Sequence, residues 1–179
     1  MNRKLPTLLI AISIGSAVAL AQEASGPSCH DHGKKAGSDH HAKVDERGDH
    51  VMGFDHSKTT HHFRLSRSGG SIEVSANDRQ DAESRDAIRA HLGHIAQMFA
   101  EGNFEAPMLI HDRVPPGVPT MKDRRSRIEW KFEEIPDGGR VRITTKDPQA
   151  LAAIHEFLRF QIADHRTGDP TGISSESDR

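Results

Sequence analysis

Two stretches of this chain are built on one plan. FRLSRSGGSIEVSAND covers residues 63–78, and RIEWKFEEIPDGGRVRITTKD covers residues 127–147. Laying Gly69-Gly70 over Gly138-Gly139 puts Ile72 on Val141, Val74 on Ile143 and Asp78 on Asp147. Each stretch alternates apolar and polar residues on both sides of its glycine pair, the pattern of a hairpin with one wet face. The glycines are expected to supply the positive φ of a tight turn. Each aspartate stands where a helix N-cap belongs, and Pro148 then takes the first helical position. The spacing predicts helices over residues 79–101 and 148–165. The fold class that follows is α+β: two ββα repeats forming a four-stranded antiparallel sheet with two helices on one face. Phe63, Leu65, Ile72, Val74, Ile128, Trp130, Phe132, Val141 and Ile143 line its inner face, with Arg64, Glu73, Glu129, Lys131, Glu133 and Arg142 outside.

The repeat confines the folded unit to residues 57–166 and leaves both ends to be explained. Residues 1–21, MNRKLPTLLIAISIGSAVALA, read as a signal peptide: Arg3 and Lys4, an apolar run, and Ala19-Leu20-Ala21 before the cut. Cleavage near Ala21 predicts a periplasmic or secreted protein without a stable membrane span. Removing Arg3 and Lys4 leaves 22 basic against 26 acidic residues, a net charge of −4. That balance argues against nucleic acid as a partner. Cys29 is the single cysteine, so an internal disulfide and a Cys-type zinc site are both excluded. Residues 22–56 are Gly, Ser, Lys, Asp and His with few apolar groups, the composition of a disordered His-rich tail. Residues 167–179 read as a second disordered tail.

The chemistry of the chain lies in its 13 histidines. On the first helix, Ile88, Leu92, Ile95 and Phe99 make the core stripe, and His91, His94 and Met98 stack along one side of it. A long segment follows, GNFEAPMLIHDRVPPGVPTMKDRR, expected to lack regular structure and to carry Met108 and His111 back over that helix. His91, His94, Met98, Met108 and His111 are therefore the candidate metal ligands. Imidazole suits copper, zinc and nickel, and thioether sulfur shifts the preference to copper. Strand parity turns His61 inward with Phe63 and Leu65, as a polar lid on the core, and His62 outward to solvent. His61 is not expected to reach His91, which lies roughly 18 Å along the helix axis.

The phrases TTHHFRL, HIAQMF, PPGVP and FLRFQIADH, spread over residues 52–169, resemble a family of small exported bacterial proteins of uncharacterised function. The resemblance implies export and a single domain, and it transfers no catalytic residue. The leading expectation is an exported metal-binding protein, copper ahead of zinc or nickel, in a carrier, sequestering or sensing role. Three alternatives stand beside it. One is a haem or small-ligand module walled by Phe157 and Phe160. Another is a small hydrolase- or lyase-like enzyme using His94 or His111 as acid/base. The last is a structural interaction domain. The motifs of serine hydrolases, phosphate loops, dinucleotide folds and zinc proteases are absent from the sequence.

Overall fold

The computed structural model describes residues 32–173. Residues 1–21, where a signal peptide is expected, lie outside them with residues 22–31 and 174–179. The two ββα units are present. Strands β1 (Thr59–Ser66) and β2 (Gly69–Ala76) precede helix α2 (Ala82–Ala100), and strands β3 (Ile128–Ile135) and β4 (Gly138–Thr145) precede helix α5 (Pro148–His165). All four strands pair antiparallel in the order β1-β2-β4-β3. The second strands of the two repeats thus meet at the centre.

That central pairing explains the glycines better than turn geometry does. Of the four, Gly69 alone has a positive φ, and the hairpins turn at Arg67-Ser68 and Pro136-Asp137. A Cβ on Gly69 would lie 2.0 Å from the Ile143 carbonyl oxygen, and one on Gly138 would lie 2.0 Å from that of Val74. The glycines let β2 and β4 close on each other. Each helix then packs chiefly over the hairpin of the other repeat, α2 on β3 and β4, α5 on β1 and β2. Their apolar stripes, Ile88/Leu92/Ile95/Phe99 and Ile154/Phe157/Leu158/Ile162, bury against Phe63, Leu65, Val74, Val141 and Ile143. The first helix starts later than expected. Its N-cap is Asp81, which accepts from the Ser84 amide at 3.0 Å, whereas Asp78 accepts from Gln80 in the turn before it. Asp147 caps α5 as expected, accepting from the Gln149 and Ala150 amides at 2.9 Å.

Three segments expected to lack regular structure are ordered, in whole or in part, among the described residues. Residues 32–52 of the His-rich segment form helix α1 (His32–Met52), which packs on α3 (Glu105–His111) and α5. Val44, Gly48, Val51 and Met52 fall at helical spacing, and Val44 is fully buried. Above them His40 Nε2 lies 3.0 Å from Asp164 Oδ1, and His41 Nδ1 lies 3.1 Å from the Asp164 carbonyl. Arg47 donates to the Ile110 carbonyl at 2.7 Å. A stripe made of imidazole, glycine and two valines anchors the helix by hydrogen bonds as much as by apolar area. The Pro-rich segment also folds, into α3 (Glu105–His111) and α4 (Val118–Asp123). Finally, residues 167–173 cover the β1 edge. Asp169 accepts from the Phe63 amide at 2.9 Å, and Ile173 bridges to Leu65.

Gly138→Ala is expected to destabilise the protein by about 2–3 kcal/mol, since backbone rather than a side-chain tip must give way. Gly93→Ala, where a Cβ meets only Phe132 at 3.9 Å, is expected to add up to about 1 kcal/mol through helix propensity. Urea denaturation of both variants checks the pair.

Candidate functional site

Between the sheet and α2, α3 and α5 lies a cavity of about 70 Å³. Four imidazoles stand in its wall, each from a different element: His61 from β1, His91 from α2, His111 from α3 and His165 from α5. Met52, the last residue of α1, closes one side. Apolar residues, among them Phe63, Leu92, Ile95 and Phe157, supply most of the remaining lining.

The rings touch one another directly or through phenylalanine. His61 and His165 are nearly parallel, with centroids 5.9 Å apart and planes 4° apart. His165 meets His111 edge-on at 5.0 Å. Phe54, just past α1, packs on His61 at 6.2 Å and on His91 at 5.7 Å. The separation expected between His61 and His91 does not hold. Helix α2 starts at Ala82, which puts His91 at its middle, and both rings line the cavity and pack on Phe54. The parity argument for His61 does hold: it faces inward with Phe63. His62, expected to face solvent, is instead half-buried, and its Nδ1 lies 2.8 Å from Asp169 Oδ1.

Burial dominates the electrostatics. Loss of water pushes His61 and His91 down to about 4 and His165 to about 3. All three are therefore neutral near pH 7, with a free lone pair on one ring nitrogen. His61 Nε2 is buried without a hydrogen-bond partner, a costly condition for an imidazole nitrogen. No hydrogen bond among the described residues engages the rings of His91 or His165.

His111 differs. Its Nδ1 lies 2.6 Å from Asp164 Oδ2, and its Nε2 lies 3.0 Å from Gln161 Oε1. Both partners are acceptors, which suits an imidazolium; burial lowers this histidine's pKa and favours the neutral ring. A neutral ring donates from Nδ1 to Asp164 and accepts at Nε2, so Gln161 turns its amide N–H toward it. Asp164 also takes His40, and its hydrogen bonds outweigh burial and lower its pKa. With both nitrogens occupied, His111 ties α3 to α5. The carboxylate at His111 is that of Asp164, while Asp112 faces Arg47 at 3.8 Å.

The five ligand candidates from the sequence do not gather. His91 and His111 wall the cavity. His94 is exposed on α2, Met98 packs partly buried against the core, and Met108 is half-buried outside the cavity lining. His91, His94 and Met98 share one side of α2 but are strung over roughly 10 Å of its axis, and only His91 reaches the cavity lining. Sequence reasoning missed Met52 and His165. Their signal was faint: Met52 closes the α1 stripe, and His165 continues the buried line of Ile154, Leu158 and Ile162. A separate group, Asp49, Asp55 and His56, has ligand atoms within 4.8 Å of one another at the surface. There Asp49 accepts from His56 Nδ1 at 2.9 Å and raises the His56 pKa.

The two non-glycine residues with positive φ in the described chain are Asp112 and Arg166, at 52° and 53°. They directly follow His111 and His165, closing α3 and α5. Strained helix ends thus fix the backbone behind two of the four imidazoles.

No family model, curated protein or solved structure matches this chain.

Two measurements check this account. In the unfolded chain the buried rings titrate near 6.5. Between that value and their folded values the unfolded state binds more protons, so stability is present above pH 6.5 and lost as pH falls toward about 4. Relative to His61→Phe, the wild type is expected to lose roughly 1.4 kcal/mol per pH unit in that window; parallel stability curves would contradict it. Asp112→Gly and Arg166→Gly are each expected to gain about 1 kcal/mol in denaturant melts by relieving left-handed strain.

Proposed function

We propose that this protein is a metal-binding module for copper, held chiefly by His61, His91 and Met52 in the buried cavity, with His165 beside them. The observation that carries the reading is a pair of neutral imidazoles and a thioether around one cavity, with His61 Nε2 buried and unpartnered. Metal binding requires deprotonated imidazole, and burial already keeps these rings in that form. Two nitrogens and one sulfur suit Cu(I), which accepts low coordination and soft ligands, better than zinc or nickel. The small volume, about 70 Å³, favours holding over turnover, since a substrate does not fit beside an ion, so the role is carriage, sequestration or sensing. A porphyrin is several times larger than this cavity, which weighs against the haem alternative. Arg3, Lys4 and the apolar run after them support export, to a compartment where such a protein meets copper from outside the cell.

The test is competition for Cu(I) against a colorimetric chelator. The His61→Ala/His91→Ala protein is expected to bind about 100-fold more weakly, at least the loss that outer-shell changes cause at metal sites. His94→Ala/Met98→Leu is expected to leave affinity unchanged. Undiminished binding in the first protein, or none in the wild type, would contradict the reading.

A further inference from the structure

The buried cavity has a neighbour. A second cavity of about 210 Å³ lies beneath α1, with Asp45, Gly48, Met52, His61, His165 and Thr167 in its lining. Met52, His61 and His165 line both cavities, so these three side chains are the partition between them. The outer chamber is the more polar. Asp45 and His56 stand in its wall, with His56 Nε2 4.0 Å from Asp45 Oδ2 and its Nδ1 2.9 Å from Asp49. Asp45 also faces Arg166 at 3.7 Å, and Asp55 completes a group of three carboxylates around His56.

Resting on the copper reading above, we propose that the outer chamber is the entry route to the buried site: its carboxylates and His56 draw the cation in, and Met52, His61 and His165 pass it through the partition. Three observations converge on this. The partition contains two of the three groups that bind copper in our reading, Met52 and His61, so an ion entering here meets its ligands without crossing the apolar core. The Met52 side chain is unbranched, and its neighbour Gly48 leaves it room, since the Met52 methyl is the nearest atom a Gly48 Cβ would meet, at 3.2 Å. Such a thioether swings at little cost. Finally, Asp45 in the chamber wall, with Asp49 and Asp55 around His56, outnumbers the cation of Arg166, and an excess of carboxylates beside apolar walls raises the local concentration of cations. The ligand order also suits transfer, oxygen and nitrogen outside, nitrogen and sulfur within.

The experiment is stopped-flow uptake of Cu(I) from a weak chelator by the full chain, at low and moderate salt. Asp45→Asn/Asp49→Asn keeps shape and removes charge. It is expected to slow association about tenfold at low salt, to flatten the salt dependence, and to leave dissociation unchanged. A matched change at Asp86 and Glu101, exposed acids on and beside α2, is the control for net charge and is expected to leave the rate within about twofold. Thr167→Trp, which narrows the outer chamber, is expected to slow association and dissociation together at constant affinity. Association unaffected by Asp45→Asn/Asp49→Asn and by Thr167→Trp overturns the entry route while leaving the buried site standing. Binding that survives His61→Ala/His91→Ala but vanishes with Asp45→Asn/Asp49→Asn overturns both, and places the ion at the surface group.

Discussion

The architecture depends on the close approach of β2 and β4. Two hairpins, each followed by a helix, become one sheet only if their second strands pair, and Gly69 and Gly138 are the positions where backbone meets backbone. Once that pair forms, β1 and β3 become the edges, and each helix lies over the hairpin of the other repeat. This crossing brings the C-terminal end of α5 to β1, so His165 comes to stack on His61 from 104 positions earlier in the chain. The histidine cavity is therefore a product of the assembled sheet, and neither repeat contains it alone.

Placing imidazoles there is expensive. Burial strips water from four rings, and only His111 recovers two hydrogen bonds, from Asp164 and Gln161. His155 shows how the same fold treats a structural histidine: its Nε2 lies 2.9 Å from the Ser66 carbonyl and 3.0 Å from that of Gly69, clasping the β1–β2 turn to α5. Against that standard, His61 Nε2 is buried without a partner among the described residues, and none of those residues hydrogen-bonds the rings of His91 or His165. A core evolved only for packing would be more stable with leucine or phenylalanine at those positions. In the copper reading the cost is offset where the lone pairs of His61 and His91 meet the ion.

Much of the fold was legible in the sequence because the two repeats obey simple rules. Alternation marked all four strands, Asp147 with Pro148 fixed the start of α5, and Ile88 to Phe99 gave the buried stripe of α2. The misses share a cause. Helix α1 escaped because its buried stripe runs through His40, His41, Val44 and Gly48, which no apolar count registers, and its anchor is Asp164, far off in sequence. Helices α3 and α4 were hidden by prolines that mark loops elsewhere. Among these, Pro119 sits in the first turn of α4, where its missing N–H costs nothing. The candidate site was half legible. His91 and the inward turn of His61 followed from periodicity, but the helix packing that unites them with Met52 and His165 is tertiary. Local spacing instead favoured His94 and Met98, its nearest neighbours on the same helix.

The central claim is that two imidazoles and one thioether in the buried cavity hold a single copper ion. X-ray absorption at the copper edge, on protein loaded with one equivalent of Cu(I), tests it most directly. The account predicts a shell of two nitrogens and one sulfur, with the sulfur lost in Met52→Leu and a nitrogen lost in His91→Ala. A shell of nitrogen and oxygen only, or one unchanged by both substitutions, would contradict it.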